Sequence, residues 1–516
     1  MSRNVKCRIL TACVAVLMML GLIGCSPVFW IKKYRDMPDV DVLETHELNQ
    51  RVTIKEKNFD VEKYYQEHYG KRKNPKHFAK PIEIDETKFV TWNDADNAVA
   101  PSANTSHPGV KLTFFHLSDV QLRDEQVRLY DKETSKLADY IIPSFEHGPL
   151  QEVFDGAAYY AIIQTINASV KHYPTDNPLK PKFMIHTGDA IDAGVVNELY
   201  EFLYISNEIG IPWYNAIGNH DVGTFGNIEP KMIYVNDPFV EFMTMHSKFN
   251  FINLHHSTYE HYPFVNVSPK NTDIEPTTTQ NPPFLSKYNG FDKLKYTTDQ
   301  IGRDDVICDD CPGYYSIEVK KTDESTKDPA IQMIVLDTGF NFGAYGNVSP
   351  QQLAWLETEI NKSKSEIVLI FGHHNLKSIS NGNVLKELFA ANPAVVAYFC
   401  GHTHEHQIIY YSGKENTFGF WEVITGATFA YPMQGSLVRV KYEAGVGILE
   451  IYAFEHTIQE KYIDQNGLQH ASELYKHAQL AYAGAVADIS ARKKAKIDQN
   501  LKDRYARLKF PYPNPN

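Results

Sequence analysis

Between residues 111 and 222, and again between 331 and 400, short apolar runs alternate with longer stretches whose apolar residues recur every three or four positions. Short runs of this kind read as buried strands and the longer periods as helices. The pattern predicts strands over 112–117, 183–186 and 213–217, with helices over 156–171 and 195–208 between them. It then predicts a strand over 331–336 and a helix opened by Ser349-Pro350, since proline suits a first helical turn. Strands over 366–371 and 395–399 follow, with a helix over 383–390 between them. From 407 to 454 the pieces read as consecutive antiparallel strands, and a charged helical tail is expected over 470–508. The fold class expected is α/β: a four-layer β-sandwich of mixed sheets flanked by helices, with a site at one edge.

The rhythm fails in two places. Residues 222–330 are rich in Pro, Asn, Thr and Tyr and carry turn pairs such as Asn289-Gly290. An insertion of that length is expected to act as a cap over the site, because long ordered loops tend to be functional. Residues 26–110 are polar, with Pro and Asn clusters, and read as a tether. Before them, Arg3, Lys6 and Arg8 precede an apolar run over 9–23 that ends in Leu22-Ile23-Gly24-Cys25. The run has the length of a secretory h-region and is short for a membrane span. This segment resembles the lipobox of bacterial lipoproteins, which implies cleavage before Cys25, acylation of that cysteine and a place on the periplasmic side of the cell envelope. Ser26, where some lipoproteins carry Asp, points to the outer membrane in that group. An uncleaved signal anchor is the alternative. The expected organisation is a signal over 1–25, a tether over 26–110, the principal domain over 111–455 and a helical tail over 456–516.

Composition changes the picture little, but charge narrows it. The chain has 516 residues, is 43% hydrophobic and carries a formal net charge of −12. An acidic chain is a poor partner for nucleic-acid backbones. A phosphate substrate is still possible, because bound cations invert the local field. Cys308 and Cys311 form a single C-x-x-C; with no second ligand pair spaced for zinc, a local disulfide is the expected reading.

Five short motifs follow predicted strands directly: Ser118-Asp119-Val120-Gln121, Gly188-Asp189-Ala190-Ile191-Asp192, Gly218-Asn219-His220-Asp221, Gly372-His373-His374-Asn375 and Gly401-His402-Thr403-His404. Open α/β sheets bind ligands at the carboxyl ends of their strands. Asp, Asn, Gln and His are ligands for hard and borderline divalent cations. Gathered in one crevice, such groups would be costly to bury without cations to satisfy them, and a shared carboxylate can bridge two ions about 3.5–4 Å apart.

Order and spacing resemble the calcineurin-like metallophosphoesterase superfamily over about 112–455. The resemblance implies that Asp119, Gln121, Asp189 and His404 hold a first metal. Asp189 then bridges to a second, completed by Asn219, His373 and His402. It implies a phosphate-ester substrate, two divalent ions from among Mn, Fe, Zn and Mg, and a hydroxide bridging them as nucleophile. In that pattern His220 stands at the leaving group and Asp221 orients it. Gln121 departs from the usual histidine; a neutral amide oxygen there implies weaker binding, or harder ions, at the first site. Ile191 stands where purple acid phosphatases place a tyrosine. Monoester and diester specificity both remain open, as does a catalytically silent metal-binding lipoprotein.

Each residue also has a plainer reading, since Asp and Asn favour turns. His374 could touch substrate or simply pack. His406 shares strand parity with His402 and His404 and reads as a surface strand histidine before a spare ligand. His116 reads as a strand residue beside the core, and Asp192 as a loop-positioning or helix-capping residue.

Overall fold

The computed structural model describes residues 79–92, 109–123, 150–223, 313–319, 329–339 and 344–511, with short breaks at 193, 195, 207, 364–366, 414–417, 444–445, 464–466 and 489–500. It also describes the fragments Ala98–Val99, Val265–Asn266 and Ile274–Pro276. The signal segment, Cys25, Cys308, Cys311 and most of 222–330 lie outside the described residues. Among the described residues no helix is long and apolar enough to cross a membrane.

With strands numbered along the chain, one sheet runs β2 (Ala98–Val99), β1 (Val90–Trp92), β18 (Tyr505–Pro511), β15 (Val446–Phe454), β14 (Gly435–Glu443), β3 (Val110–Leu117), β4 (Met184–His186), β5 (Trp213–Asn215), β6 (Val265–Asn266). The other runs β12 (Gln407–Tyr411), β13 (Phe420–Ile424), β11 (Val395–Cys400), β10 (Ile367–Phe371), β9 (Ile331–Val335), β8 (Tyr315–Val319), β7 (Ile274–Pro276). Strands β3, β4 and β5 are mutually parallel, as are β9, β10, β11 and β13. Parallel neighbours put all their carboxyl ends on one edge, and every predicted motif sits there.

Strand periodicity explains the layering. Successive side chains face opposite ways, so Ile367, Leu369 and Phe371 join the interior between the sheets while Val368 and Ile370 join a second cluster beneath helices. The interior is aromatic: Phe114 stacks on Phe183 at 4.8 Å and meets Phe371 and Phe399 edge-on at 5.9 and 5.7 Å. The outer cluster of the second sheet is closed by α3 (Pro350–Lys362) and α4 (Gly382–Ala390), through Leu356, Ile360, Leu385 and Phe389. Ser349 caps α3, its Oγ accepting from Gln352 N at 3.1 Å. On the first sheet α1 (Leu150–His172) and α2 (Val196–Ser206) bring Tyr159, Ile163, Leu199 and Phe202 into the core. Against α1 lies α5 (Glu473–Asp488), through small residues such as Ala157, Ala158, Ala161, Ala478 and Ala481. The result is the expected four layers: helices, sheet, sheet, helices.

Four expectations are corrected. The tail is helical over Glu473–Asp488 and again over α6 (Leu501–Arg504), but it then returns as β18 between β1 and β15. Its alternation of Ala506, Leu508 and Phe510 with Arg507 and Lys509 is a strand pattern that the surrounding charge disguises. The stretch expected to be tether reaches the same sheet, since β1 pairs with β18. The expected insertion is not wholly outside the core, because β8 pairs with β9 and β6 with β5. Finally, the strands after 407 are not one antiparallel run: β13 lies parallel to β11, and β14 belongs to the other sheet.

Leu508 is fully buried in β18. Leu508→Ala is expected to lower unfolding free energy by about 2–5 kcal/mol, the usual cost of truncating a buried leucine. Urea denaturation followed by circular dichroism measures this; a loss below about 0.5 kcal/mol, typical of an exposed tail, is the contrary result.

Candidate metal centre

Five of the seven expected ligands sit on an unusual backbone just past their strands. Asp119, Gln121, Asp189, His402 and His404 have φ of 52, 44, 55, 71 and 59°. Left-handed conformations cost L-residues free energy and persist where surroundings over-determine them. Here the loops tie one another down. Asp119 N donates to Gly188 O at 3.0 Å, Gln121 N to Asp189 O at 2.9 Å, and Gly401 N to His373 O at 2.9 Å. Thr428 N donates to Asp119 O at 3.1 Å. Approach is so close that a Cβ on Gly218 would lie 2.1 Å from Asp189 Oδ1, and one on Gly401 would lie 2.3 Å from Asp119 Oδ2. Glycine in these motifs therefore makes room for carboxylates, as well as for turns.

All seven expected ligands are brought together. Asp119 Oδ2 accepts from His402 N at 3.0 Å, while Oδ1 faces His404 Nε2 at 3.3 Å. Asp189 Oδ1 accepts from His220 N at 2.9 Å, and its Oδ2 lies 3.1 Å from His373 Nε2 and 3.2 Å from Gln121 Nε2. His373 Nε2 is 3.1 Å from Asn219 Oδ1. The His402 ring stands 5.1 Å from that of His373. Asp119, Asp189 and His373 form one group able to hold a cation, and His373, His374 and His402 another.

The donor set fits divalent cations for a specific reason. His373 Nδ1 donates to Thr187 O at 2.9 Å, so the ring aims Nε2 at Asp189 Oδ2 and Asn219 Oδ1, where its lone pair would meet a cation once the proton is displaced. Asp119 Oδ1 is buried with no hydrogen-bond partner. Lone pairs converging in a dry crevice require positive charge between them. The field has the matching sign: burial opposes charge on His373, yet Asp189 and Asp119 outweigh it and lift the imidazole to about 9. Protons and metal ions would compete for that nitrogen.

Gln121 belongs to the cluster, with Nε2 also 3.4 Å from His404 Nε2. Turning the amide over, a choice crystallography also leaves to the hydrogen-bond network, would present Oε1 as a neutral ligand.

The roles of Asp221 and Asp192 are corrected. Asp221 does not reach His220; its Oδ2 accepts from Gly218 N and Asp189 N at 2.8 and 3.0 Å, and its Oδ1 accepts from Ala190 N at 2.8 Å. It fixes the turn that presents Asp189. The orienting carboxylate is Asp192: His220 Nδ1 lies 3.0 Å from Asp192 Oδ1 and 3.0 Å from Asp192 O. A four-residue motif with a carboxylate at each end carried that signal, but sequence adjacency favoured Asp221. Burial works against charge on His220, while Asp189 and Asp192 raise it to about 10.

His406 is corrected as well. It is buried, not on the surface, lies beside Gly426, and belongs to neither cation group. Parity failed because 402–406 is a tight turn and β12 starts only at Gln407. His116 is buried in β3, with Nε2 2.9 Å from Thr187 Oγ1. Thr338, which sequence reasoning missed, accepts from His373 N and His374 N at 3.3 and 3.2 Å and holds His374 Nδ1 at 2.9 Å.

Gln121→His is expected to tighten the first cation about 10-fold or more, since imidazole is the stronger ligand for borderline ions. Zn²⁺ titration by calorimetry measures both sites; identical isotherms for the two proteins are the contrary result.

The model of the calcineurin-like phosphoesterase family matches residues 112–406, more than half of the chain. A protein of Arcobacter nitrofigilis named "Probable glycerophosphodiester phosphodiesterase GpdQ" is 32% identical over 89 residues, which is 15% of this chain and 33% of that protein. The chain thus spans about a third of that relative's length. A dimetal phosphatase from Danio rerio is 13% identical, with a TM-score of 0.36, 68% of this chain covered and 100% of that one. The matched residues include every motif that builds the crevice, from Asp119 to His404, and the chain belongs to the calcineurin-like phosphoesterase family.

Proposed function

We propose that the chain hydrolyses a phosphate ester at this crevice, with Asp119, Gln121, Asp189 and His404 holding one divalent ion and Asp189, Asn219, His373 and His402 a second. The observation that carries the reading is the meeting of Asp119, Asp189 and His373, three buried ligands from three different strand ends, within 4.8 Å of one another. When bound, two such ions supply a nucleophile from water at neutral pH and offset charge on the phosphoryl oxygens.

The protein's own groups complete the chemistry. His220 shares its Nδ1 proton with Asp192, which leaves Nε2–H to protonate the departing oxygen, as a general acid must. Asp221 keeps the Asp189 turn rigid through backbone N–H groups, so the carboxylate does not reorganise during turnover. Buried Thr187 and Thr338 orient the His373 ring and backbone, the kind of support that fixes ligand geometry.

The Arcobacter relative is named for a diesterase, so specificity is tested with both ester types. With Mn²⁺ added, p-nitrophenyl phosphate or its bis ester is expected to be turned over, and the ratio of the two rates separates monoesterase from diesterase. His220→Asn is expected to keep bound metal while lowering kcat by about 10²–10⁴, the range of general acid catalysis; Asp192→Asn should act in the same direction, more weakly. Metal loss in His220→Asn removes the assigned role. No turnover of either ester by metal-loaded wild type favours a silent metal-binding protein.

We also infer, from Arg3, Lys6, Arg8 and the segment ending at Cys25, that the chain is acylated and held at the periplasmic side of the cell envelope. Metabolic labelling with palmitate is expected to mark the wild type and not Cys25→Ser; equal labelling would remove the inference.

A further inference from the structure

At the edge that carries the crevice, the chain crosses from one sheet to the other. β13 ends at Ile424 beside β11, β14 begins at Gly435 beside β3, and residues 425–434 join them. The first half of this loop is tied to the metal-binding motifs. Thr425 N donates to Cys400 O at 2.9 Å, just before the turn bearing His402 and His404. Thr428 directs both its N–H and its hydroxyl at Asp119 O, at 3.1 and 3.2 Å, and Phe429 N donates to the same oxygen at 3.4 Å. The second half is fixed as well: Met433 N donates to Ala430 O at 2.6 Å, and the Tyr431 ring meets Tyr482 of α5 at 5.6 Å.

Phe429 is thereby held with its ring against a ligand. The half-buried phenyl meets the His404 imidazole edge-on, with centroids 5.0 Å apart and planes at 85°. One residue thus contacts His404 through its ring and the Asp119 backbone through its N–H. Those two ligands face each other directly, His404 Nε2 lying 3.3 Å from Asp119 Oδ1.

The three histidine ligands differ in what holds them. His373 Nδ1 donates to Thr187 O. The His402 ring lies among those of His373 and His374, at 5.1 and 4.6 Å. His404 is more open, its side chain 25% accessible, and its Nε2 faces Asp119 and Gln121, which would share a cation with it. Phe429 supports the ring from its flank. Edge-on aromatic pairs are favourable beyond the area they bury, and groups that orient a ligand ring govern metal affinity.

We propose that Phe429 is a positioning residue for the first cation: its ring holds the His404 imidazole so that Nε2 turns toward the ion shared with Asp119 and Gln121. This rests on the two-cation reading and adds the side chain that sets affinity at the first site.

Zn²⁺ titration of the full chain by calorimetry tests it without turnover, with His404→Ala marking which binding phase is the first site. Phe429→Ala is expected to weaken that phase about 3- to 10-fold, the strength of an edge-on ring pair, and to leave the other phase unchanged. Phe429→Leu, which keeps the loop apolar, should lose affinity in the same direction, and Phe429→Tyr should retain it. In the His404→Ala background, Phe429→Ala should cause no further loss. Wild-type affinity in Phe429→Ala, or an equal loss with His404 already removed, overturns the inference while the phosphoesterase reading stands. If the wild type binds no Zn²⁺, both fall together.

Discussion

Lone pairs crowd together at the edge of the two sheets, and the rest of the structure accommodates that crowding. Asp119, Asp189, Asn219, His373, His402 and His404 come from five strand ends, and their oxygens and nitrogens point at one another across about 3 Å in a buried crevice. Such an arrangement is unfavourable by itself. It is held by backbone hydrogen bonds between loops, by glycines that let carboxylates approach, and by a sandwich interior rigid enough to keep strained residues at positive φ. Bound cations would offset the free energy that folding spends on the crevice.

Support for the ligands comes largely from uncharged neighbours. Thr187 and Thr338 direct His373 and His374 through a carbonyl and a hydroxyl, and Thr428 ties the Asp119 turn. Asp221 is spent wholly on backbone N–H groups around Asp189. Asp192 instead sets its carboxylate against the ring of His220. One acidic residue thus fixes a turn and the other pairs with His220, although their sequence positions suggest the reverse.

The second constraint is closure of the first sheet. β18 lies between β1 and β15, so residues near both ends of the described chain complete the platform that carries Asp119. Glu450, buried in β15, is met by Lys441 and Arg507 at 3.0 and 2.9 Å. These charges are paired within the layer, which explains how a tail rich in Lys and Arg enters a core.

Much of the metal centre was legible in the sequence, because ligand chemistry is a property of residue type and the motifs lie at the ends of predictable strands. Apolar alternation marked the strands, proline marked the start of α3, and the motifs bearing Asp119, Asp189, Asn219, His373, His402 and His404 named the side chains that meet in the crevice. Three-dimensional proximity decided the remainder. Which carboxylate reaches His220 depends on turn geometry, so Asp192 displaced Asp221. The burial of His406 depends on where β12 begins, not on counting by twos. That Tyr505–Pro511 is a strand, that Tyr315–Val319 belongs to the second sheet, and that Gly346 packs against His374 all follow from long-range contacts. Local sequence encodes the propensity of a segment, whereas its partner is chosen by the free energy of the whole packed sheet.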